Sequence, residues 1–224
     1  IEYNKYNFWK EVKKMYKYFN WKNKINNEEL NTIITILKNN GIVIFPTETV
    51  YGIGGNALSN EAVEKIYIAK NRPKQKALNI MVKSSDEISK YAEITSELEQ
   101  KIIEKCMPGP LTIILKRKSS FGEHFTSGNS TIGIRIPKCK ITMTILKSID
   151  FPLTVPSANI SNKPSGVNPT EIIKDFENTV DAIIDGGVIE NGQVSTIVKV
   201  ENNDIQILRA GALSKEDILK QINT

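Results

Sequence analysis

From residue 27 almost to the end of the chain, short apolar runs alternate with amphipathic stretches, and this alternation restricts the fold more than any other feature. The segments 42–45, 80–82, 111–115, 131–136, 153–155 and 182–185 read as strands bounded by Gly, Pro or polar residues. Between them, apolar residues return at helical spacing. Leu30, Ile33, Ile34 and Leu37 make one face, with Asn27 as candidate N-cap and Gly41 as the stop. Residues 60–70, capped by Asn60, and residues 84–91, 95–106, 140–148 and 169–176 also read as helices. Residues 195–200 and 205–208 read as a hairpin, and Ser214 caps a last helix. This order predicts one α/β domain, a twisted mixed β-sheet flanked by helices.

Residues 1–26 stand apart as an arm crowded with lysines and aromatics, ahead of a domain over 27–224. Phe8, Val12, Met15, Tyr16 and Phe19 recur at helical spacing and predict a short amphipathic helix. Interleaved lysines and rings would suit RNA; packing of the aromatic face on the domain is the favoured reading. The chain opens on Ile1, which leaves a removed targeting segment open. No apolar run approaches the length of a membrane span. A composition of 40% hydrophobic and 25% charged residues excludes disorder across the whole chain. The net charge of +5 suits anionic partners, and a merely compositional excess of lysine explains it equally well. Cys106 and Cys139 are not spaced as metal ligands and His124 is the one histidine, so no protein metal site is expected. Cysteine usage points to a reducing compartment: the cytoplasm, with an organelle left open.

Six segments look chemical. Residues 46–55 carry Thr47, Glu48, Thr49 and clustered glycines directly after a strand and read either as a glycine-rich ligand loop, where α/β folds commonly bind, or as an elaborate turn. The loop is neither a Walker A motif nor a dinucleotide fingerprint. Lys70, Arg72, Lys74 and Lys76 form a basic loop fit for phosphates, although a charge run taken alone is more often a solvated loop. Alternation along 131–136 places Thr131, Gly133 and Arg135 on one face. An Arg on such a strand needs a partner, either a bound carboxylate or an internal Asp or Glu. Ser157, Asn159 and Ser161 alternate as hydrogen-bonding groups after residues 153–155. Residues 192–197 and 208–211 complete the set.

In this order the segments resemble the YrdC-like family of threonylcarbamoyl-adenylate synthases. The resemblance rests on Pro46 to Gly52, Lys70-Asn71-Arg72-Pro73, Pro108 to Thr112 and Ser157-Ala158-Asn159, and covers roughly residues 27–217. Its extent looks like the family's short form. It implies an enzyme, a nucleotidyltransferase that combines L-threonine, bicarbonate and ATP with Mg2+ and releases pyrophosphate. The product would be passed to proteins that complete threonylcarbamoyladenosine in tRNA. By similarity, Thr49, Arg135, Ser157 and Ser195 would hold threonine. Lys70, Arg72, Lys76, Thr131, Asn159, Val167 and Arg209 would hold ATP, with Lys70 and Arg72 as the catalytic cations.

This chain departs from the family at Met81 and Cys139, where His is common, at Val194, where Glu is common, and at Lys199, which replaces a frequent Asp. The absence of a Cys-His or Ser-His arrangement agrees with a reaction that needs no protein nucleophile. Two other readings stand beside this one. One is a protein that binds double-stranded RNA or acts in ribosome maturation. The other is a carbamoyl-transfer domain of the hydrogenase-maturation type.

Overall fold

The computed structural model describes residues 16–121, 126–190 and 192–224. Strand β2 (Val43–Phe45) shows how the fold is organised. Ile42 and Ile44 point into one apolar layer with Ile66, Ile102, Phe176 and Ile218. Val43 and Phe45 point into the other, with Ile33, Leu37, Ile145 and Leu146. Successive side chains leave a strand on opposite faces, so a strand that is apolar throughout must be covered on both sides.

Helix α1 (Asn27–Lys38) begins at Asn26, whose side chain accepts from the N–H groups of Glu28 and Glu29. The cap thus lies one residue before the Asn27 expected from the sequence. Likewise Ser59, not Asn60, caps α2 (Asn60–Ala69). In both cases the earlier residue is extended and its oxygen faces the first free N–H groups. A 3-10 turn (Ser85–Glu87) and α3 (Ile88–Tyr91) fill the stretch expected as one helix. Helices α4 (Glu97–Cys106), α5 (Lys140–Lys147), α6 (Pro169–Phe176) and α7 (Lys215–Ile222) follow, the last capped by Ser214 as expected.

The remaining strands are β1 (Lys17–Asn20), β3 (Gly52–Asn56), β4 (Ile80–Met81), β5 (Ala92–Glu93), β6 (Leu111–Arg117), β7 (Thr131–Arg135), β8 (Leu153–Thr154), β9 (Ala182–Asp185), β10 (Thr196–Glu201) and β11 (Asp204–Arg209). They form one mixed sheet in the order β1-β9-β2-β3-β8-β4-β7-β6-β10-β11, with β5 paired to β6.

Two elements differ from the sequence reading. Gly52–Asn56, expected to be loop, is a strand paired with β2 and β8. Its glycines let the layers close in: a Cβ on Gly54 would lie 2.5 Å from the Phe45 ring, and one on Gly52 2.5 Å from Val155. Pairing on both sides overrides the poor strand propensity of glycine. The expected N-terminal helix falls mainly on residues outside those described, as does His124. Its last part is the strand β1, parallel to β9, with Phe19 and Trp21 buried. The aromatic spacing that suggested a helix there is satisfied instead by alternation, with Phe19 inward and Tyr18 exposed.

Candidate functional site

The loop between β2 and β3 is locked from within. The Thr47 hydroxyl donates to the Val50 carbonyl (2.6 Å) and lies 2.8 Å from the Thr49 hydroxyl. The Tyr51 hydroxyl donates to the Gly187 carbonyl (2.7 Å) and accepts the Gly186 N–H (2.9 Å). A cleft opens beside this loop, walled by the ends of β4, β7, β8, β10 and β11.

Arg135, at the end of β7, is 5% exposed. Both terminal nitrogens donate to the Thr49 hydroxyl at 3.1 Å, and Nε donates to the Gly109 carbonyl at 3.2 Å. The Glu48 carboxylate pairs with it at 2.8 Å and also accepts the Lys138 N–H. The internal partner weighed for this arginine therefore exists, and the guanidinium still lines the cleft. Across from it, Arg209 donates to the Ser195 carbonyl (2.6 Å) and hydroxyl (2.9 Å), and that hydroxyl meets the Thr112 hydroxyl at 3.0 Å. Arg72 donates to the Lys76 and Ala77 carbonyls and holds its own loop closed.

Arg72, Arg135 and Arg209 thus line one cleft whose wall contains no carboxylate. Burial, then Arg135 and Arg72, lowers the pKa of Arg209. Burial also lowers that of Arg72, against the opposing pull of Tyr67. Arg135 has Glu48 beside it, while Arg72 and Arg209 have no carboxylate partner among the described residues, so the cleft keeps a positive charge that suits an anion.

Of the residues singled out from the sequence, Thr49, Arg72, Arg135, Ser157, Ser195 and Arg209 meet in this cleft. Lys70, Lys76, Thr131, Asn159 and Val167 stand outside its wall. Lys70 is 2% exposed and its ammonium donates to the Ser157 and Asn159 carbonyls, bracing the 157–159 loop from behind. Asn159 accepts from the Ser157 hydroxyl and donates to the Ile160 and Lys163 carbonyls. Lys76 is exposed and reaches Asn162 at 3.4 Å. Thr131 opens β7, and the Val167 carbonyl accepts the Ile189 N–H.

Sequence reasoning passed over Asn79 and Tyr51 as wall residues, and gave Glu48, Thr47 and Thr112 no individual role. Thr47, Glu48, Tyr51 and Thr112 lie inside recognised motifs, which was their one available signal. Asn79 had none. Met81 and Val194, two of the departures, also line the cleft. Cys139 donates weakly to the Pro46 carbonyl, and Lys199 pairs with Glu201.

The Sua5/YciO/YrdC family model, described as "Telomere recombination", matches residues 35–211. The chain belongs to this family.

A threonylcarbamoyl-AMP synthase of Pyrococcus abyssi is 36% identical over 181 residues, which are 81% of this chain and 53% of that protein. A Methanocaldococcus jannaschii protein, named only provisionally for the same activity, is 41% identical over 194 residues, 84% of this chain and 90% of its own. The crystal structure of P. abyssi Sua5 complexed with L-threonine superposes with a TM-score of 0.87 at 33% identity, covering 92% of this chain and 60% of that one. The chain therefore spans little more than half of the P. abyssi relative and most of the M. jannaschii one.

Proposed function

We propose that this chain is an L-threonylcarbamoyladenylate synthase that uses L-threonine, bicarbonate and ATP. The observation that carries the reading is the convergence of Arg72, Arg135 and Arg209 on one carboxylate-free cleft. Its support from kinship is the L-threonine held by the P. abyssi Sua5 structure and the names of the relatives.

Threonine enters with its carboxylate toward Arg135, whose guanidinium lines the cleft and attracts an anion. Its amine combines with bicarbonate, losing water, to give a carbamate. A carbamate oxygen then attacks the α-phosphorus of ATP. The bond from that phosphorus to the bridging oxygen breaks, and pyrophosphate leaves with the electron pair. Arg72 and Arg209 offset the charge on the phosphates, and the work of the chain is positioning and charge stabilisation. Lys70 acts behind the wall, where its hydrogen bonds hold Ser157 in place. Lys76 and Thr131 flank the cleft and reach a nucleotide only where it extends past the wall.

Mg2+ would accompany the nucleotide and neutralise its phosphates. The wall offers arginines, hydroxyls and amides but no carboxylate, so phosphate oxygens and waters would make up most of that ion's shell, and no step is assigned to it.

The product would pass to the proteins that transfer the threonylcarbamoyl group to tRNA, in the compartment that holds tRNA and ATP. None of the described helices is long and apolar enough to cross a membrane. The RNA-binding alternative has no comparable support from the named relatives.

Purified chain given ATP, bicarbonate, Mg2+ and L-threonine is expected to release pyrophosphate in a threonine-dependent way. Pyrophosphate release that is absent, or indifferent to threonine, refutes the reading.

A further inference from the structure

One polar side chain of the cleft has no hydrogen-bond partner among the described residues. Every hydroxyl and guanidinium of the wall already holds a partner. The Asn79 carboxamide lines the same wall and makes no hydrogen bond with any described residue. Its backbone carbonyl, in contrast, accepts from the Val155 N–H and the Thr154 hydroxyl, so the residue itself is firmly placed.

The placement is specific. Strand β4 runs parallel to β7 with Met81 opposite Arg135 and Ile80 opposite Ile134. Asn79 therefore reaches across Gly133, on the face that carries Arg135. A Cβ on Gly133 would lie 2.2 Å from the Asn79 side-chain oxygen. Glycine at 133 is what leaves room for the amide to lie over the strand. Gly133 and Arg135 are two residues apart, about 7 Å along β7. An amino acid whose carboxylate sits at Arg135 and whose side chain turns toward Gly133 brings its β-oxygen within hydrogen-bond reach of Asn79, about 2.9 Å. Val155 and Met81 also line the cleft and offer apolar contact to a methyl group.

We infer that Asn79 reads the β-hydroxyl of the amino-acid substrate and, with Val155 and Met81 beside the methyl, selects threonine over its isostere valine. The inference rests on the proposed synthase reading. An amide offers both a donor and an acceptor, so it serves a hydroxyl in either role. Valine would leave the amide facing a methyl group and without its hydrogen bond. A site that hydrogen-bonds a substrate hydroxyl rejects the analogue lacking it far better than an apolar pocket discriminates by size.

The test compares L-threonine, L-serine and L-valine as substrates for pyrophosphate release by wild type and Asn79→Leu, the leucine matching asparagine in size without its polarity. The wild type is expected to prefer threonine to valine at least about 100-fold in kcat/KM. In Asn79→Leu, the values for threonine and serine should fall together by about tenfold or more, the loss appearing mainly in KM. The value for valine should hold or rise. The threonine-to-serine ratio, set by the apolar contacts, should stay within about twofold of wild type. An equal fall for all three substrates, or an unchanged threonine-to-valine ratio, overturns the inference. Asn79→Ala, which adds no bulk, gives the same reading should the leucine variant fail to fold. Wild-type protein without threonine-dependent pyrophosphate release would refute the synthase reading itself, before any variant is compared.

Discussion

Glu48 Oε1 lies 2.8 Å from Nη2 of Arg135, and its second oxygen is buried with no hydrogen-bond partner among the described residues. The carboxylate fixes the direction of the guanidinium from behind, while Thr49 fixes it from within the loop. Replacing Glu48 by Ala leaves a nearly buried cation with one orienting contact fewer. The expected result is a rise in the KM for threonine of about tenfold, about 1.4 kcal/mol. Glu48→Gln retains an acceptor and should rise less. Steady-state kinetics at saturating ATP decide it; an unchanged KM in Glu48→Ala would show that Thr49 and Gly109 hold Arg135 unaided.

Lys70 carries a pH dependence. Burial, reinforced by the neighbouring Arg72, lowers its pKa from 10.5 to about 7. Below about pH 7 the group is charged in both folded and unfolded states, and folding bears the full cost of burying it. Between 7 and 10.5 the unfolded chain holds a proton that the folded chain has lost. Stability therefore climbs with pH through that window, by up to about 1.4 kcal/mol per unit. A neutral amine still has two N–H groups for the two carbonyls it meets. Urea unfolding of wild type between pH 6 and 9 should show this climb, and Lys70→Met should lack it. Parallel curves would mean that Lys70 stays charged throughout.

The Asp185 carboxylate gathers three donors from two segments. The Tyr18 hydroxyl stands at 2.5 Å, the Lys22 ammonium at 3.0 Å and the Gly187 N–H at 2.8 Å. Burial pulls the Asp185 pKa up, but these donors outweigh it and hold it below the usual carboxylate range. The Tyr18 hydroxyl is pushed up to about 12 by its own burial and by that carboxylate. Asp185→Ala should cost about 1–2 kcal/mol in urea unfolding, a modest loss because the carboxylate is buried but its partners Tyr18 and Lys22 are about half exposed. Because Gly186 and Gly187 also hold the Tyr51 hydroxyl, activity should fall along with stability. A loss below about 0.5 kcal/mol would show the cluster to be incidental.

Gly211 lies against backbone. A Cβ there would fall 2.3 Å from the Val194 carbonyl oxygen, 2.6 Å from the Ser195 carbonyl carbon and 2.6 Å from the Thr196 nitrogen. Backbone cannot swing aside as a flexible side chain can, so Gly211→Ala must displace the segment that carries Ser195. The expected result is a loss of stability of about 1–3 kcal/mol with a fall in kcat/KM of about tenfold. Retained activity with lowered stability would place the strain away from the cleft.

Periodicity, read with composition, by itself settled the alternation of strands and helices and the stretches where ligand chemistry gathers. These are local properties, legible in a few consecutive residues. It misread Gly52–Asn56 as loop, because the pairing that makes it a strand comes from β2 and β8 on either side. It read the run ending at Phe19 as helix, because the parallel partner β9 lies far along the chain. It ranked Lys70 with Arg72 as neighbours in one basic loop, whereas the fold turns Lys70 behind the wall and leaves Arg72 on it. Arg135 finds Thr49 across 86 residues, and Asn79 lies over Gly133 only because β4 and β7 align in that register. Which side chains meet is a matter of strand register and packing between distant segments, and only the tertiary structure decides it.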